Sequence, residues 1–383
     1  MILNNLKMCL SGDPVNIRIT NDRIAEVQPF SLKGTPRQLE LNFTGAIVFP
    51  GLINSHDHMD FNLFPALGDR TYKNYTEWGR YIHRNYPEQI SNVLKVPVHL
   101  REQWGIYKNL LNGVTTVVNH GRKIKDKSRP INIYEDCQSI HSVQFQKGWW
   151  LALNNPFKKN IIAAIHTGEG VDPSAEQEIS KLTGCNLLKR ELIGIHGVAM
   201  NESQARAFKA LVWCPESNYF LLNRTAPVNL LKKHVPILFG TDSTLTGNWN
   251  LWEHLRLARK TKFMTDQEIF NTLTINAAKA WNLNCGEIAK GRSADIVIAR
   301  SKDTVAGTGY FFDLNPEDIL LVIHKGEISL FDEELCPQLT GVDLEEYGRI
   351  YIKGAGKYVA GNLPGLMQKI KQYYSSVYFP VTW

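Results

Sequence analysis

A chain of 383 residues can bury a barrel-sized core and carry an accessory domain, and its 43% hydrophobic and 21% charged residues are ordinary for a globular protein. The net charge of +6 is spread thinly, with its densest basic stretch at residues 122–129, and this excludes the clustered charge of a nucleic-acid-binding surface. Scattered cysteines, no evident signal peptide and no apolar run of ~18 residues argue against a disulfide scaffold and a membrane protein, so we expect a cytoplasmic location.

Short strands are predicted near both ends of the chain. Residues 15–27 alternate apolar and polar side chains on either side of a turn, which is the pattern of a hairpin. Residues 320–331 repeat this pattern more than 290 positions later. We therefore predict that both chain ends, residues 1–45 and 284–345, combine into one small β-sandwich domain.

Between these ends, apolar runs alternate with helix-like patterns, which predicts parallel strands joined by crossover helices. Six of these runs are clear strand candidates: residues 46–49, 114–118, 161–165, 192–195, 210–214 and 235–240. Residues 139–145 and the weaker 131–134 would complete eight strands, with short or missing helices around strands three and four. The pattern predicts a (β/α)8 TIM barrel over residues 46–283, and an open doubly wound sheet is the competing architecture.

Two segments fit neither pattern. Residues 61–86 carry many aromatic side chains, and they either pack as a helical excursion or cover a binding site as a lid. Residues 346–383 are rich in tyrosine, and we predict a C-terminal tail that packs on the barrel or at a subunit interface.

Ionisable residues follow the predicted barrel strands. His56 and His58 lie two positions apart, so both imidazoles can face one point at a strand end, although such a pair is also common at polar strand ends. His166, His196 and Asp242 follow later strands, and the carboxyl ends of barrel strands meet on the face that carries catalytic groups. Zinc prefers imidazole and carboxylate ligands, and it lowers the pKa of a bound water to ~7. The coincidence of these placements predicts a metal-dependent hydrolase.

Glu169 lies three residues after His166, beside the candidate metal ligands. Its position before Gly170 is equally typical of a carboxylate at the start of a helix. Its inclusion among the candidate site residues depends on the neighbouring histidines.

The ordered motifs resemble the amidohydrolase superfamily, in the branch of cytosine, guanine and S-adenosylhomocysteine deaminases and triazine (atrazine-type) hydrolases. The motifs that carry the resemblance are residues 50–58, 112–116, 166–169, 214–218, 239–243, 274–280 and 291–297. The resemblance extends over most of the chain, and the set is far more specific than any single motif.

The resemblance implies that His56, His58, His166 and Asp242 bind one divalent metal ion. Zn²⁺ is favoured, and Fe²⁺ is the alternative because imidazole and carboxylate suit both ions. We find no convincing lysine on strand four of the kind that bridges two ions in binuclear members, so the resemblance is to the mononuclear deaminases.

The resemblance also implies the catalytic roles of three residues. Asp242 would accept a proton from the metal-bound water, and His196 would hydrogen-bond that water or the polarised substrate atom. Glu169 would move protons between water, ring nitrogen and leaving group. Candidate substrate contacts are Trp78, His120, Ser217 and Asn218.

The implied activity is hydrolysis of a carbon–nitrogen bond other than a peptide bond, namely deamination of an amino-substituted heterocycle by a metal-bound hydroxide. Cyclic amide opening and triazine-type dechlorination are the alternative reactions. A non-catalytic binding protein built on the same barrel is the alternative of another class. The expected partner is a small-molecule substrate, with no nucleic acid and no membrane, and a homodimer is left open.

Overall fold

The computed structural model describes residues 1–35, 38–124, 130–301 and 309–383, so most of the basic stretch at 122–129 lies outside the described residues. The described residues form seventeen β-strands, numbered here in chain order. These are β1 (Ile2–Met8), β2 (Pro14–Thr20), β3 (Arg23–Gln28), β4 (Glu40–Pro50), β5 (Leu52–Asp57), β6 (Val114–Asn119), β7 (Asn132–Tyr134), β8 (Cys137–Ser142), β9 (Ile162–Thr167), β10 (Leu192–His196), β11 (Ala210–Trp213), β12 (Ile237–Phe239), β13 (Ile296–Arg300), β14 (Ile319–His324), β15 (Glu327–Asp332), β16 (Tyr347–Ile352) and β17 (Ala355–Ala360).

Thirteen α-helices lie in the same described residues, together with a few short 3-10 turns. The helices are α1 (Tyr75–Asn85), α2 (Pro87–Leu94), α3 (Val98–Leu110), α4 (Trp149–Leu153), α5 (Pro173–Gly184), α6 (Glu202–Ala205), α7 (Pro215–Leu222), α8 (Val228–Leu231), α9 (Leu251–Thr261), α10 (Asp266–Thr272), α11 (Ile275–Ala280), α12 (Gly309–Asp313) and α13 (Leu363–Tyr373). Among them, none has the length and apolar character that crossing a membrane would require.

Strands β5 to β12 form the barrel wall in chain order. β5, β6 and β7 pair in parallel, and so do β8 to β12. The two ends of this wall meet where the amides of Thr241 and Asp242 both donate to the carbonyl of His56 at 3.1 Å. Most of the strands are buried along their whole length, as expected of parallel strands covered on both faces. The predicted TIM barrel is confirmed.

The barrel is compressed around strands three and four, as the sequence predicts. Only Glu135 and Asp136 separate β7 from β8, so no helix can lie between them. The two strands belong to different sheets, and the helix that follows β8 is only five residues long.

The prediction that residues 46–49 form the first barrel strand is wrong. They belong to β4, which pairs with β1 and β13 in the other sheet, and the barrel strand β5 begins at Leu52. The chain bends at Gly51, which packs so closely on Thr115 that a Cβ there would overlap the threonine side chain. Two consecutive buried strands read as one apolar run, and apolar periodicity cannot assign each strand to its sheet.

Strands from both ends of the chain pair in one nine-stranded sheet, in the order β16-β17-β15-β14-β13-β4-β1-β2-β3. Its own apolar cluster includes Leu3, Ile17, Val48, Ile296 and Leu321. The two-layered sandwich and the domain boundaries at residues 45, 284 and 345 stay predictions.

The C-terminal residues contact both parts of the molecule. β16 and β17 extend the edge of the nine-stranded sheet, and α13 packs against α3. The Tyr107 hydroxyl of α3 donates to the carbonyl of Ala360 at 3.0 Å, and Trp104 packs edge-on against Phe379 with ring centroids 4.8 Å apart. These contacts fix the C-terminal residues next to the helix that supports β5 and β6.

Candidate metal centre and active site

Three imidazole nitrogens from two barrel strands converge on one point. His56 and His58 lie at the end of β5, and His166 lies on β9. Nε2 of His166 is 3.2 Å from Nε2 of His56 and 3.3 Å from Nε2 of His58. Ligands about 2.0–2.1 Å from a tetrahedral zinc ion are separated by about 3.4 Å. The spacing of the three nitrogens therefore fits a shared divalent ion.

The protonation of these rings also fits a metal ion. His166 uses Nδ1 to donate to the carbonyl of His141 at 2.7 Å, which leaves the lone pair of Nε2 facing the other two rings. Burial lowers the pKa of His166 well below its usual range, and burial together with the charge of His56 lowers the pKa of His58 to about 3. Neutral imidazoles with converging lone pairs are the form that binds a metal ion.

Asp242 lies beside two of the three histidines. Its Oδ1 is 3.5 Å from Nε2 of His56 and 3.6 Å from Nε2 of His58, while its Oδ2 accepts from Ser217 at 2.7 Å and Thr246 at 2.8 Å. Burial alone would raise the pKa of Asp242, but its neighbours His56, His58 and His196 hold that pKa well below its usual value. The carboxylate is therefore ionised and oriented toward the imidazoles.

Glu169 and His196 form a second buried pair next to this cluster. Nδ1 of His196 donates to Oδ1 of Asn218 at 2.9 Å, so the lone pair of Nε2 faces Oε2 of Glu169 at 3.6 Å. Burial lowers the pKa of His196 to about 4, whereas burial and the charge of Asp242 raise the pKa of Glu169 well above its usual value. Two buried carboxyl groups with pKa values shifted in opposite directions therefore share this site, which is the arrangement of a general acid beside a base.

The backbone at two of these positions is held in the left-handed region. His196 has φ 71° and Asp242 has φ 60°, each at the end of its barrel strand. Histidine and aspartate are among the few residues with side chains that adopt this conformation with some frequency. The sharp turn directs each side chain from its strand end into the site.

Asp57, between the two β5 histidines, is held by a buried hydrogen-bond network. Its Oδ2 accepts from Nζ of Lys108 at 3.0 Å and from Asn109 at 2.7 Å, and its Oδ1 accepts from Asn62 at 2.8 Å. The Lys108 ammonium also donates to Oγ1 of Thr241 at 3.1 Å, one residue before the aspartate of the site. The lysine therefore joins the strand end that carries two histidines to the strand end that carries Asp242.

The family model of the amidohydrolase family matches residues 94–329, more than half of the chain, although the match begins after His56 and His58. A 5'-deoxyadenosine deaminase of Methanocaldococcus jannaschii is 30% identical over 401 residues, covering 85% of this chain and 94% of the relative. The chain belongs to the amidohydrolase family.

Two further proteins are similar to this amidohydrolase. A 5-methylthioadenosine/S-adenosylhomocysteine deaminase of Caldicellulosiruptor saccharolyticus is 24% identical over 398 residues, covering 85% of this chain and 90% of the relative. The crystal structure of an adenosine deaminase from Xanthomonas campestris, with bound zinc, superimposes with a TM-score of 0.68 at 15% identity, covering 98% of this chain and 97% of the other. The structural likeness supports the barrel fold.

The amidohydrolase has a cavity of about 90 Å³ at this rim of the barrel. Its lining consists of His58, Phe61, Tyr75, Trp78, His141, Phe145, His166, Glu169, His196, Leu221, Asp242, Ser243, Leu245 and Thr246. The structure thus brings together around one cavity most of the predicted metal-binding and catalytic side chains, and His56 lies against them.

The four predicted substrate contacts of the amidohydrolase lie in different places. Trp78 lines the cavity, whereas Ser217 and Asn218 lie on α7 and hydrogen-bond to the site residues. The ring of His120 is 4.4 Å from that of His166, and its buried Nε2 has no hydrogen-bond partner in the part of the chain that the structure describes. Their roles toward a substrate stay predictions.

Sequence reasoning missed several residues of this site. Lys108 lies within α3 with nothing in its local sequence to distinguish it from a surface lysine, yet it is 2% exposed. Phe145 lines the cavity from a segment whose course could not be derived, whereas Phe61 and Tyr75 line it from the aromatic segment 61–86, for which a lid over a binding site was one of the two predictions. His141 is on β8, and the strand candidate at 139–145 placed it in mid-strand, where a strand-end search does not look.

Proposed function

We propose that this amidohydrolase removes the amino group of an amino-substituted heterocycle by hydrolysis, using one divalent metal ion. The observation that carries the proposal is the convergence of His56, His58 and His166 beside the carboxyl groups of Asp242 and Glu169. Relatives that align over most of their length and are named as deaminases of adenine nucleosides support the same reaction class.

The residues present fit a zinc ion, with Fe²⁺ as the alternative, held by His56, His58, His166 and Asp242. The spacing of their nitrogens and the orientation of their lone pairs support this ligand set. When bound, such an ion supplies Lewis acidity that makes water a nucleophile at neutral pH.

Proton transfer is then the work of the protein's carboxyl groups. Water adds to the ring carbon that bears the amino group, and Asp242 accepts one of its protons. Glu169 gives its proton to the neighbouring ring nitrogen. As ammonia leaves, the proton held by Asp242 passes to the amino group, and the proton of the new hydroxyl returns to Glu169, which leaves a neutral carbonyl product and restores the acid. His196 lies 3.6 Å from Glu169, where its Nε2 lone pair can accept a hydrogen bond from the attacking water or from the Glu169 carboxyl.

We assign positioning roles to two residues of α7. Ser217 donates to Asp242 and so fixes the carboxylate, and Asn218 fixes the orientation and tautomer of His196. Trp78 and His120 remain the candidates for substrate contact.

We further propose that residues 46–283 are the catalytic domain, apart from residues 46–50 at the end of β4, and that residues 1–45 and 284–345 form a sandwich-like accessory domain. The shared nine-stranded sheet supports the second part. Residues 346–383 are proposed as a tail that packs on the barrel through the contact of α13 with α3, while β16 and β17 of the same segment extend the nine-stranded sheet. A cytoplasmic location is supported by the six cysteines, all described and all free thiols.

The test is a screen of aminated pyrimidines, triazines and purines for ammonia release, with metal content measured on protein purified without added metal. Ammonia release in proportion to bound metal is the expected result. Release of a new carboxylate would indicate cyclic amide opening, and release of chloride would indicate dechlorination. Less than about half an equivalent of transition metal, with no turnover, would favour the non-catalytic binding protein.

A further inference from the structure

We propose that the site accepts a single flat, uncharged heteroaromatic ring, such as an aminopyrimidine or aminotriazine, and excludes purine nucleosides. The inference rests on the proposed deamination, and it departs from what the names of the sequence relatives suggest. Three features of the cavity carry the inference. They are its volume, the chemistry of the side chains that line it, and the hydrogen bonds that hold the aromatic part of the lining on the barrel.

The cavity is small for a nucleoside. Its volume is about 90 Å³, whereas pockets for drug-sized ligands are typically ~300–1,000 Å³ and a cavity of ~150 Å³ holds one benzene. The same molecule has a groove of about 300 Å³ between residues 62–66 and the C-terminal residues, so larger spaces are present elsewhere. The space beside the metal ligands is therefore no larger than a single ring needs, and a base with an attached sugar exceeds it by far.

The lining recognises a flat apolar surface. Phe61 lies nearly parallel to His58, with centroids 5.3 Å apart, and Tyr75 packs edge-on against Phe145 at 5.1 Å. The indole nitrogen of Trp78 donates to the carbonyl of Leu67 at 2.7 Å, so that it offers the substrate only the surface of its ring. Stacking and edge contacts of this kind favour an aromatic ligand.

Charged groups in the lining all belong to the catalytic cluster or are histidines. The described lining residues include no lysine or arginine, and its two carboxyl groups are those of Glu169 and Asp242. No cation is placed to pair with a phosphate or carboxylate, and both acidic groups are committed to proton transfer. The substrate class that fits is therefore uncharged.

The aromatic wall, by which we mean the lining residues Phe61, Tyr75, Trp78 and Phe145, is attached to the barrel. Residues 67–75, which we call the strap, lead into α1 and cross the cavity rim. Backbone hydrogen bonds attach the strap to three different barrel loops, namely Leu67 N to Leu245 O (3.1 Å), Tyr72 N to Leu221 O (2.8 Å), Val171 N to Lys73 O (2.8 Å) and Tyr75 N to Glu169 O (3.1 Å). The Asn74 side chain adds a bond to Asp172 at 2.6 Å. Admitting a larger substrate would break several of these bonds together.

The experiment compares kcat/KM for ammonia release by the metal-loaded enzyme with cytosine, an aminotriazine, adenine, adenosine and 5'-deoxyadenosine. We expect at least one single-ring amine to exceed both nucleosides by about 100-fold or more. A nucleoside as the preferred substrate overturns the size inference and leaves the proposed deamination intact. Ammonia from none of the five overturns the proposed deamination for these classes.

A variant pair tests the wall directly. Phe145 lines the cavity and is 48% exposed, so Phe145→Ala enlarges the opening without emptying the core, and Phe157→Ala makes the same change at a residue 94% exposed elsewhere. Phe145→Ala is expected to raise the ratio of nucleoside to single-ring kcat/KM by about 10-fold relative to Phe157→Ala. Equal ratios in the two variants would contradict the proposed wall.

Binding of deaminated products tests the cavity without turnover. Calorimetry with uracil and inosine is expected to show binding of uracil and at least about 10-fold weaker binding of inosine. Tighter binding of inosine would overturn the inference even if none of the amines is turned over.

Discussion

Two buried lysine–aspartate pairs of this protein have the same chemistry and different surroundings. In the nine-stranded sheet, Nζ of Lys357 donates to Asp332 at 2.6 Å and to the carbonyls of Glu317 and Ile319 at 2.8 and 2.6 Å. Beside the metal ligands, Nζ of Lys108 reaches Asp57 and Thr241 at 3.0 and 3.1 Å. Both lysines are at most 2% exposed.

The difference lies in what each pair holds together. Lys357 satisfies three acceptors in the nine-stranded sheet and in the turn that leads into β14, and burial lowers its pKa while Asp332 opposes that shift. Lys108 links the ends of two barrel strands that carry the predicted ligands. A buried ion pair is therefore informative about function only through the elements that it joins, because burial and pairing are alike in both places.

The catalytic rim contains polar atoms without ordinary partners. Three imidazole nitrogens face one another, and the buried Nε2 of His120 has no partner among the described residues. Buried polar groups without partners are costly, and a bound ion or a catalytic role is one explanation for them. Variants at the rim and in the sheet should separate metal binding, proton transfer and stability.

The largest effect is expected from His58→Ala. Loss of one of the three converging nitrogens should remove bound metal and ammonia release together, while circular dichroism shows a folded protein. His83→Ala is the control, since His83 is an exposed histidine of α1 bonded only to the carbonyl of Gly79. Full activity in a metal-free His58→Ala protein would contradict the metal site.

Glu169→Gln should lower kcat by ~100-fold or more, which is typical of losing a general acid–base group. The amide keeps the shape of the side chain but cannot deliver the proton, so bound metal, measured by elemental analysis, should stay at the wild-type level. Wild-type turnover in this variant would exclude the proposed proton transfer. Loss of metal would instead make Glu169 a part of the metal site.

Lys108→Met and Lys357→Met test the opening comparison. Each removes the lysine that pairs with a buried aspartate, so each should lower the free energy of unfolding by ~3–5 kcal/mol, measured by urea denaturation. Lys108→Met should also weaken metal affinity by ~10–100-fold, as changes to groups that orient ligands do. Lys357→Met should leave metal affinity and kcat/KM unchanged. Weaker metal binding by this variant would contradict the proposed functional difference between the two lysine–aspartate pairs.

Residues at the strand ends could be predicted from the sequence more readily than the helix contacts and the cavity that lie between the strands. His56, His166, His196 and Asp242 were found because strand-end positions in a barrel converge whatever the loops do. The contribution of Lys108 depends on which face of α3 packs against β5, and the cavity depends on the path of the strap. Neither leaves a periodic signal in the sequence. The strand at 46–49 was assigned to the wrong sheet for a similar reason, because a run of buried apolar residues does not show which sheet the strand joins.

The smallest effect concerns Glu178, a buried residue of α5 that forms no ion pair among the described residues. Burial raises its pKa from 4.5 to about 7, so between these pH values the folded protein keeps a proton that the unfolded chain loses. The free energy of unfolding should therefore fall as pH rises from 4.5 to 7 and level off above 7. At ~1.4 kcal/mol for each pKa unit, the loss amounts to about 3 kcal/mol.

Glu178→Gln removes this titration and should be more stable than the wild-type protein at pH 8, by up to about 3 kcal/mol, with little difference near pH 4.5. Urea denaturation across this range measures the difference, and Glu176→Gln, an exposed position of the same helix, is the control. Subtracting the variant's profile from the wild-type profile cancels the other titrating groups, including Glu169. A difference that does not change with pH would show that Glu178 is ionised in the folded protein, and the catalytic rim would then contain a second buried carboxylate charge beside Tyr75.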